Sequence, residues 1–379
     1  MSILGDLSHY IVPALIVLTV LVFVHELGHY LVARRNGVRI EVFSIGFGPE
    51  IFGWNDRAGT RWKLSAVPLG GYVKMFGDND ASSLPSIAVS QMSLEDRAVS
   101  FHHKRLGQRT AVVAAGPVAN FLFAIVVLTI LFATVGEQFT PPDVGQVQAN
   151  SAAEQAGIKP GDTIVQIDGQ PVERFEDVQR AVQLNDGVTM NIVVRRGGQD
   201  IALNVTPRLE TITDHFGNVH KIGLLGISRN SVDYVRRDPI TAVWRATLTT
   251  WNYCAVELKA VGQMIIGSRS TDELGGPVRI FQMSGEVAQG GIIPLLLLTA
   301  GLSVNLGLIN LFPIPVLDGG HLLFYLAEAI RGKPLGLKAQ EYGFRIGLAL
   351  VMSLMVFATW NDLVQLGPRI VHFFKGLST

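Results

Sequence analysis

The chain has 379 residues, of which 48% are hydrophobic and only 16% charged, against roughly a quarter charged in an ordinary soluble domain. Its 31 basic and 31 acidic residues cancel, so no net field draws it to nucleic acid, and a single cysteine, Cys254, excludes an intramolecular disulfide framework or a multi-cysteine metal site. Apolar residues recur along the whole chain, which excludes wholesale disorder and points to a protein whose first partner is the lipid bilayer.

Four stretches are long and apolar enough to cross a bilayer, which takes about 20 residues. The first, about 7–33, carries His25, Glu26 and His29 in its second half. Its leader from Met1 to Asp6 holds no basic residue and no small-residue cleavage site follows, so it reads as a retained helix and not a signal peptide. A second stretch, about 110–135, is free of charge and would extend about 39 Å as a helix. The third runs without charge from Ile292 to Leu317 and stops at Asp318, giving a span of about 292–320. A fourth, about 343–366, is built on Ile346 to Asn361 and completed by Leu363 to Leu366. Between the first two, residues 34–109 carry eleven Arg and Lys, whereas the first nine residues carry none. The positive-inside rule then puts the N-terminus outside, residues 34–109 in the cytoplasm and residues 136–291 outside. Arg331, Lys333 and Lys338 agree with this orientation; Arg369, His372 and Lys375 go against it.

These spans divide the chain into an N-terminal membrane part (1–135), a soluble insert (136–210), a linker region (211–291) and a C-terminal membrane part (292–379). Within the insert, β-rich runs Thr163 to Ile167, Thr189 to Arg195 and Ile201 to Val205 alternate with Gly, Pro and Asp turns, and Glu173 to Leu184 has helical spacing. The run from Ala152 to Val172 resembles the hallmark of PDZ domains of the bacterial protease type. That resemblance implies a groove that takes a peptide or chain end by strand addition; use as a spacer or steric filter is the competing reading. In the linker, Ile240 to Ile266 is apolar but interrupted by Arg245, Glu257 and Lys259, which favours an amphipathic helix at the membrane surface or against the core over a fifth span.

The chemistry gathers at His25-Glu26-Leu27-Gly28-His29, an H-E-x-x-H motif. Residues four apart share a helix face, so His25 and His29 can direct two imidazole nitrogens at one ion. Glu26, about 100° round the helix, is near enough to hold a water there and take its proton. Zinc suits this work because it accepts imidazole and keeps a position open. The bland alternative, a hydrogen-bonded cluster joining helices, leaves the spacing unexplained, and ionisable groups inside an apolar span are costly unless paired or used. A catalytic zinc normally has three protein ligands. Glu41 and Glu50 are near in sequence but lie in a loop. Asp318 is the stronger candidate: it closes an uncharged run just after Pro313 and Pro315, which break the helix and free backbone groups. An ordinary helix end capped by Asp and Gly is the alternative there.

The H-E-x-x-H motif, combined with N-x-x-P-x-P-x-L-D-G-G from Asn310 to Gly320, resembles the site-2 protease family of intramembrane zinc metalloproteases, and within it the bacterial regulator of sigma-E protease type. The likeness takes in Phe43 to Pro49, Pro68 to Met75, Ala115 to Asn120 and the PDZ-like run. It implies one zinc ion per chain on His25, His29 and Asp318, with Glu26 as catalytic base. It further implies a membrane-associated β-hairpin, including Gly70, Gly71 and Tyr72, that aligns substrate, with Asn305 and Asn310 near the substrate strand. Substrates would be single-span membrane proteins, such as anti-sigma factors or remnant signal peptides. The home would be the bacterial inner membrane, with the PDZ domain periplasmic and the active site near the cytoplasmic face. A single PDZ domain, where some relatives have two, is the departure.

The expected fold is thus a polytopic α-helical membrane protein of about four transmembrane helices, with a membrane-associated β-hairpin and an inserted α+β PDZ domain. A peptide bond inside a helix is shielded, so substrate must be held extended, and Leu64 to Met75 could provide the strand edge. Asn310 can bind a freed backbone group or its own helix, while Gly116 and Asn120 read as helix-packing residues. Two other classes compete. A catalytically inactive PDZ-bearing scaffold sits poorly with an intact His25, Glu26, His29 and Asp318, and an ion-coupled transporter predicts paired repeats with broken helices, of which the sequence has none.

Overall fold

The computed structural model describes residues 3–78, 92–184, 187–213, 219–228, 233–267, 271 and 275–377. Two compact units emerge, one of Met1–Ile130 with Ile240–Thr379 and one of Leu131–Pro239.

The first unit is built on helices. Among the described residues, four are apolar and long enough to cross a membrane, as His9–Arg35, Leu106–Thr134, Ile292–Asn310 and Lys338–Val364, so the chain is a membrane protein. The first lies in α1 (Ile3–Arg35). After it come β1 (Ile40–Asn55), β2 (Arg61–Met75) and the short α2 (Leu94–Val99), then α3 (Leu106–Thr134), which is the second. The third is shorter than its uncharged run. Instead of continuing to residue 320, the helix stops at Asn310, a crossing of 19 residues, because Pro313 and Pro315 cannot supply the next backbone donors. Residues 311–317 form an irregular connection with Val316 at φ 134°, and a new helix begins at Asp318.

β1 and β2 pair by folding back on themselves. Phe43 is paired with both Val73 and Trp62, and Ser44 with both Tyr72 and Lys63, while residues 50–55 pair with 61–65. Residues 40–45 therefore lie between two segments of β2, and residues 71–75 form an outer strand. The reversal needs Gly46, whose φ of +87° leaves no room for a side chain against the Val67 carbonyl. An aromatic cluster fixes this sheet to α1. The fully buried Phe43 stacks on Trp62 at 4.1 Å and meets Phe23 and Tyr30 of α1 edge-on.

Asp56 completes the attachment, accepting from Tyr30 Oη at 2.8 Å, Trp62 Nε1 at 3.2 Å and the backbone N–H groups of Ala58 and Thr60. Partial burial works against its charge, but these donors win and hold its pKa at about 2. The sign follows: a carboxyl depressed below its unfolded value, about 3.9, contributes stability that is fully present above that value and is lost as pH falls towards 2. Hydrogen-exchange protection of the β1–β2 amides is expected to decline over that window. In Asp56→Asn it is expected to be lower at neutral pH and to lose this component of the pH dependence. Equal protection in the two proteins at every pH would refute the attachment.

The second unit contains β3 (Glu137–Phe139), β4 (Gln146–Val147), α4 (Ala152–Gln155), β5 (Thr163–Ile167), β6 (Gln170–Pro171), α5 (Phe175–Leu184), β7 (Met190–Arg196) and β8 (Gln199–Val205). It continues through β9 (Arg208–Thr213), β10 (Val219–Leu224), β11 (Ile227–Ser228) and β12 (Asp233–Val235). A four-stranded sheet in the order β6-β5-β7-β8 packs Ile164, Ile167, Met190, Ile192, Val194 and Val205 against Val178 and Val182 of α5. The unit extends beyond residue 210: β11 pairs with β4 and β12 with β3, so residues 211–239 belong with this unit and not with the linker. Glu137 anchors the last pairing by accepting from Arg174 and Arg237.

Back in the first unit, α6 (Pro239–Ile265) buries a stripe of Ala242, Ala246 and Thr250 and exposes Trp244 and Trp251. With its charges it is not among the helices apolar enough to cross a membrane. α7 (Pro277–Gln289), α8 (Ile292–Asn310), α9 (Asp318–Arg331) and α10 (Leu337–Leu377) complete the chain. The buried Asp362 of α10 caps the start of α7 by accepting from the Gly276 and Arg279 N–H groups.

Candidate metal centre

On α1, His25 and His29 project from consecutive turns towards α3 and α9. Small residues permit the approach of α3: a side chain at Gly28 would meet Ala115 and Ala119, and one at Gly116 would collide with both imidazoles. The two histidines are buried and their Nε2 atoms are 3.3 Å apart. Each turns its other ring nitrogen to α3, His29 Nδ1 to the Val112 carbonyl at 2.8 Å and His25 Nδ1 to the Asn120 amide at 3.1 Å.

Asp318 arrives from the first turn of α9. Gly319 and Gly320 seat it there, because a Cβ at either would strike carbonyls of residues 311–314. Its Oδ2 stands 3.1 Å from His25 Nε2 and 3.5 Å from His29 Nε2. Among the described residues, His25, His29 and Asp318 are the His, Cys, Asp and Glu cluster able to hold a metal ion. The three donor atoms thus form a triangle with edges of 3.1, 3.3 and 3.5 Å. Donors 2.0–2.1 Å from a tetrahedral zinc lie about 3.3 Å apart, so this triangle fits one face of that coordination and leaves the fourth position open. Apart from the two imidazoles, the buried Oδ2 has no hydrogen-bond partner, which also fits a metal ligand.

Glu26 and these three residues line a cavity of about 750 Å³. Val73 lines the same cavity beside Glu26, so the outer strand of the sheet runs alongside α1. A Cβ at Gly71 would press on Val22 and Glu26, so the glycine lets that strand come close. Gly70, Gly71, Tyr72 and Asn310 all line the cavity. Asn305 does not: it is one residue from Leu306, which does, and a rotation of about 100° takes it off that face. Sequence reasoning passed over His321 and Tyr325, which line the cavity from successive turns of α9. It also read Asn120 as packing alone. A signal for Asn120 existed, since it is a polar amide one turn from Gly116 in an otherwise apolar span.

The class defined by this arrangement is a metal-dependent hydrolase embedded in a membrane. The sequence profile of peptidase family M50 matches residues 13–354. A protein of Agrobacterium fabrum named "Putative zinc metalloprotease" is 48% identical over 97% of this chain and 98% of its own length. One of Rhizobium meliloti with the same name is 47% identical over 96% and 99%, and "Metalloprotease MmpA" of Caulobacter vibrioides is 38% identical over 97% and 98%. The chain belongs to the M50 (site-2 protease) family and is a zinc metalloprotease.

Proposed function

We propose that this metalloprotease cuts single-span membrane proteins within their apolar segments, with zinc held by His25, His29 and Asp318 and with Glu26 as the base. The donor triangle carries the reading: three ligand atoms from two distant parts of the chain lie at tetrahedral spacing, two of them on a helix apolar enough to cross a bilayer and the third at the start of α9. When bound, zinc supplies Lewis-acid polarisation of the scissile carbonyl and makes a water acidic enough to lose its proton near neutral pH. Glu26 takes that proton and returns it to the departing amine.

The outer strand supports the substrate. Gly71, Tyr72 and Val73 line the cavity beside Glu26, and the absence of a side chain at Gly71 lets this strand come close to Val22 and Glu26. Main-chain groups along this edge hold an unwound substrate extended, and the Asn310 amide bonds a backbone group freed by unwinding. In the second unit, an apolar groove between α5 and residues 223–228, lined by Val147, Phe175, Val178, Val182, Leu225 and Ile227, suits an extended chain end. Together with the Ala152–Val172 run, this groove supports a PDZ role in admitting substrates. The charge asymmetry of the loops supports an inner-membrane orientation with that unit periplasmic and the zinc site near the cytoplasmic face.

The test is cleavage of a purified single-span substrate by the purified protein, with the cut site read by mass spectrometry. Cleavage inside the apolar segment, abolished by chelation and restored by zinc, is the expected result. Cuts confined to the soluble flanks would overturn the intramembrane reading.

A further inference from the structure

We infer that Asn120 is a positioning residue that fixes the tautomer of His25 by accepting its Nδ1 proton, leaving Nε2 as a lone-pair donor to the metal; this rests on the zinc-site reading above. A histidine can ligate through Nε2 only when that nitrogen carries no proton, so a neutral ligating imidazole carries its proton on Nδ1 and needs an acceptor there. For His29 the acceptor is fixed by chemistry, because the Val112 carbonyl can only accept. His25 faces the Asn120 amide, which can present either an oxygen or a nitrogen.

The two orientations are not equivalent. With Nδ2 towards His25, the imidazole accepts at Nδ1 and its proton sits on Nε2, aimed at His29 Nε2 and Asp318. In that orientation Oδ1 of the fully buried Asn120 has no hydrogen-bond partner. A half-turn of the amide exchanges the two atoms, whose positions are nearly the same. Oδ1 then accepts from Nδ1–H while Nδ2 takes the position that Oδ1 leaves, and both Nε2 lone pairs converge on one point with Asp318 Oδ2. The backbone and Cβ that carry the amide are also held in place. The Asn120 backbone carbonyl accepts from Ser303 Oγ at 2.9 Å, and Gly307 lets α8 pack against the Asn120 Cβ. Helices α1, α3 and α8 are thereby referenced to one ligand, and loss of such a partner typically costs about 10–100-fold in metal affinity.

The experiment measures zinc affinity of the full-length protein by chelator competition, together with the visible spectrum of the cobalt-loaded protein. Asn120→Leu removes the acceptor at similar volume and is expected to weaken zinc about 10–100-fold and to shift the cobalt spectrum. Asn120→Asp can only accept and is expected to keep wild-type affinity and spectrum. That contrast separates tautomer control from packing, and Asn120→Asp can still overturn the proposal if Asn120→Leu does not fold. Zinc loss in Asn120→Asp as large as in His25→Ala would overturn the proposal while leaving the ligand set intact. Retention of zinc by His25→Ala would instead overturn the ligand set on which it rests.

Discussion

Glu26→Gln is expected to lower cleavage by about 10²–10⁴-fold or more, the usual cost of losing a general base, with zinc content unchanged. Glutamine has nearly the same volume and keeps an acceptor oxygen. It cannot take a proton from water. None of the three donor atoms of the triangle belongs to residue 26, so the metal has no reason to leave. Single-turnover cleavage and elemental analysis of the same preparation would check both halves of the expectation. Near-normal turnover would remove Glu26 from the mechanism. Loss of zinc along with turnover would make Glu26 part of the metal's support and not the base alone.

Legibility in the sequence followed the range of the interactions. His25, Glu26 and His29 could be read because helical period alone puts two imidazoles on one face. Asp318 could be read only because a charge stood directly after two prolines at the end of an apolar run. That same run misled on the span, since a count of uncharged residues does not register that the helix has already ended at Asn310. The strand edge at Leu64 to Met75 was visible as composition. The double pairing of residues 40–45 was not, because it depends on the reversal at Gly46 and on contacts with α1 that no local pattern records. Residues 211–239 were assigned to a linker for a similar reason: β11 and β12 are only two and three residues long, and their partners β4 and β3 lie about eighty residues or more upstream. Asn120 was the hardest case, since an amide in an apolar stretch of helix signals packing until its neighbour is known to be a histidine ring.

Asp318→Asn is expected to lose zinc and activity together, which distinguishes it from Glu26→Gln. Its Oδ2 is one corner of the donor triangle, reached across a sequence separation of 289 residues from His29. The amide keeps the volume but removes the charge and can bring an N–H donor into the centre. The affinity loss should exceed the about 10–100-fold that follows loss of a ligand's hydrogen-bonded partner. Misfolding would be a poor explanation of such a result. In the metal-free protein the carboxylate is largely buried, its side chain 17% exposed, and faces the two imidazoles. A cooperative metal-free thermal transition in Asp318→Asn would show that the variant folds, while zinc should stabilise the wild type far more than the variant. Thermal unfolding of both proteins with and without zinc, alongside chelator competition, gives the four values needed. Full zinc retention by Asp318→Asn, with cleavage preserved, would exclude Asp318 from the ligand set and leave His25 and His29 in search of another third ligand.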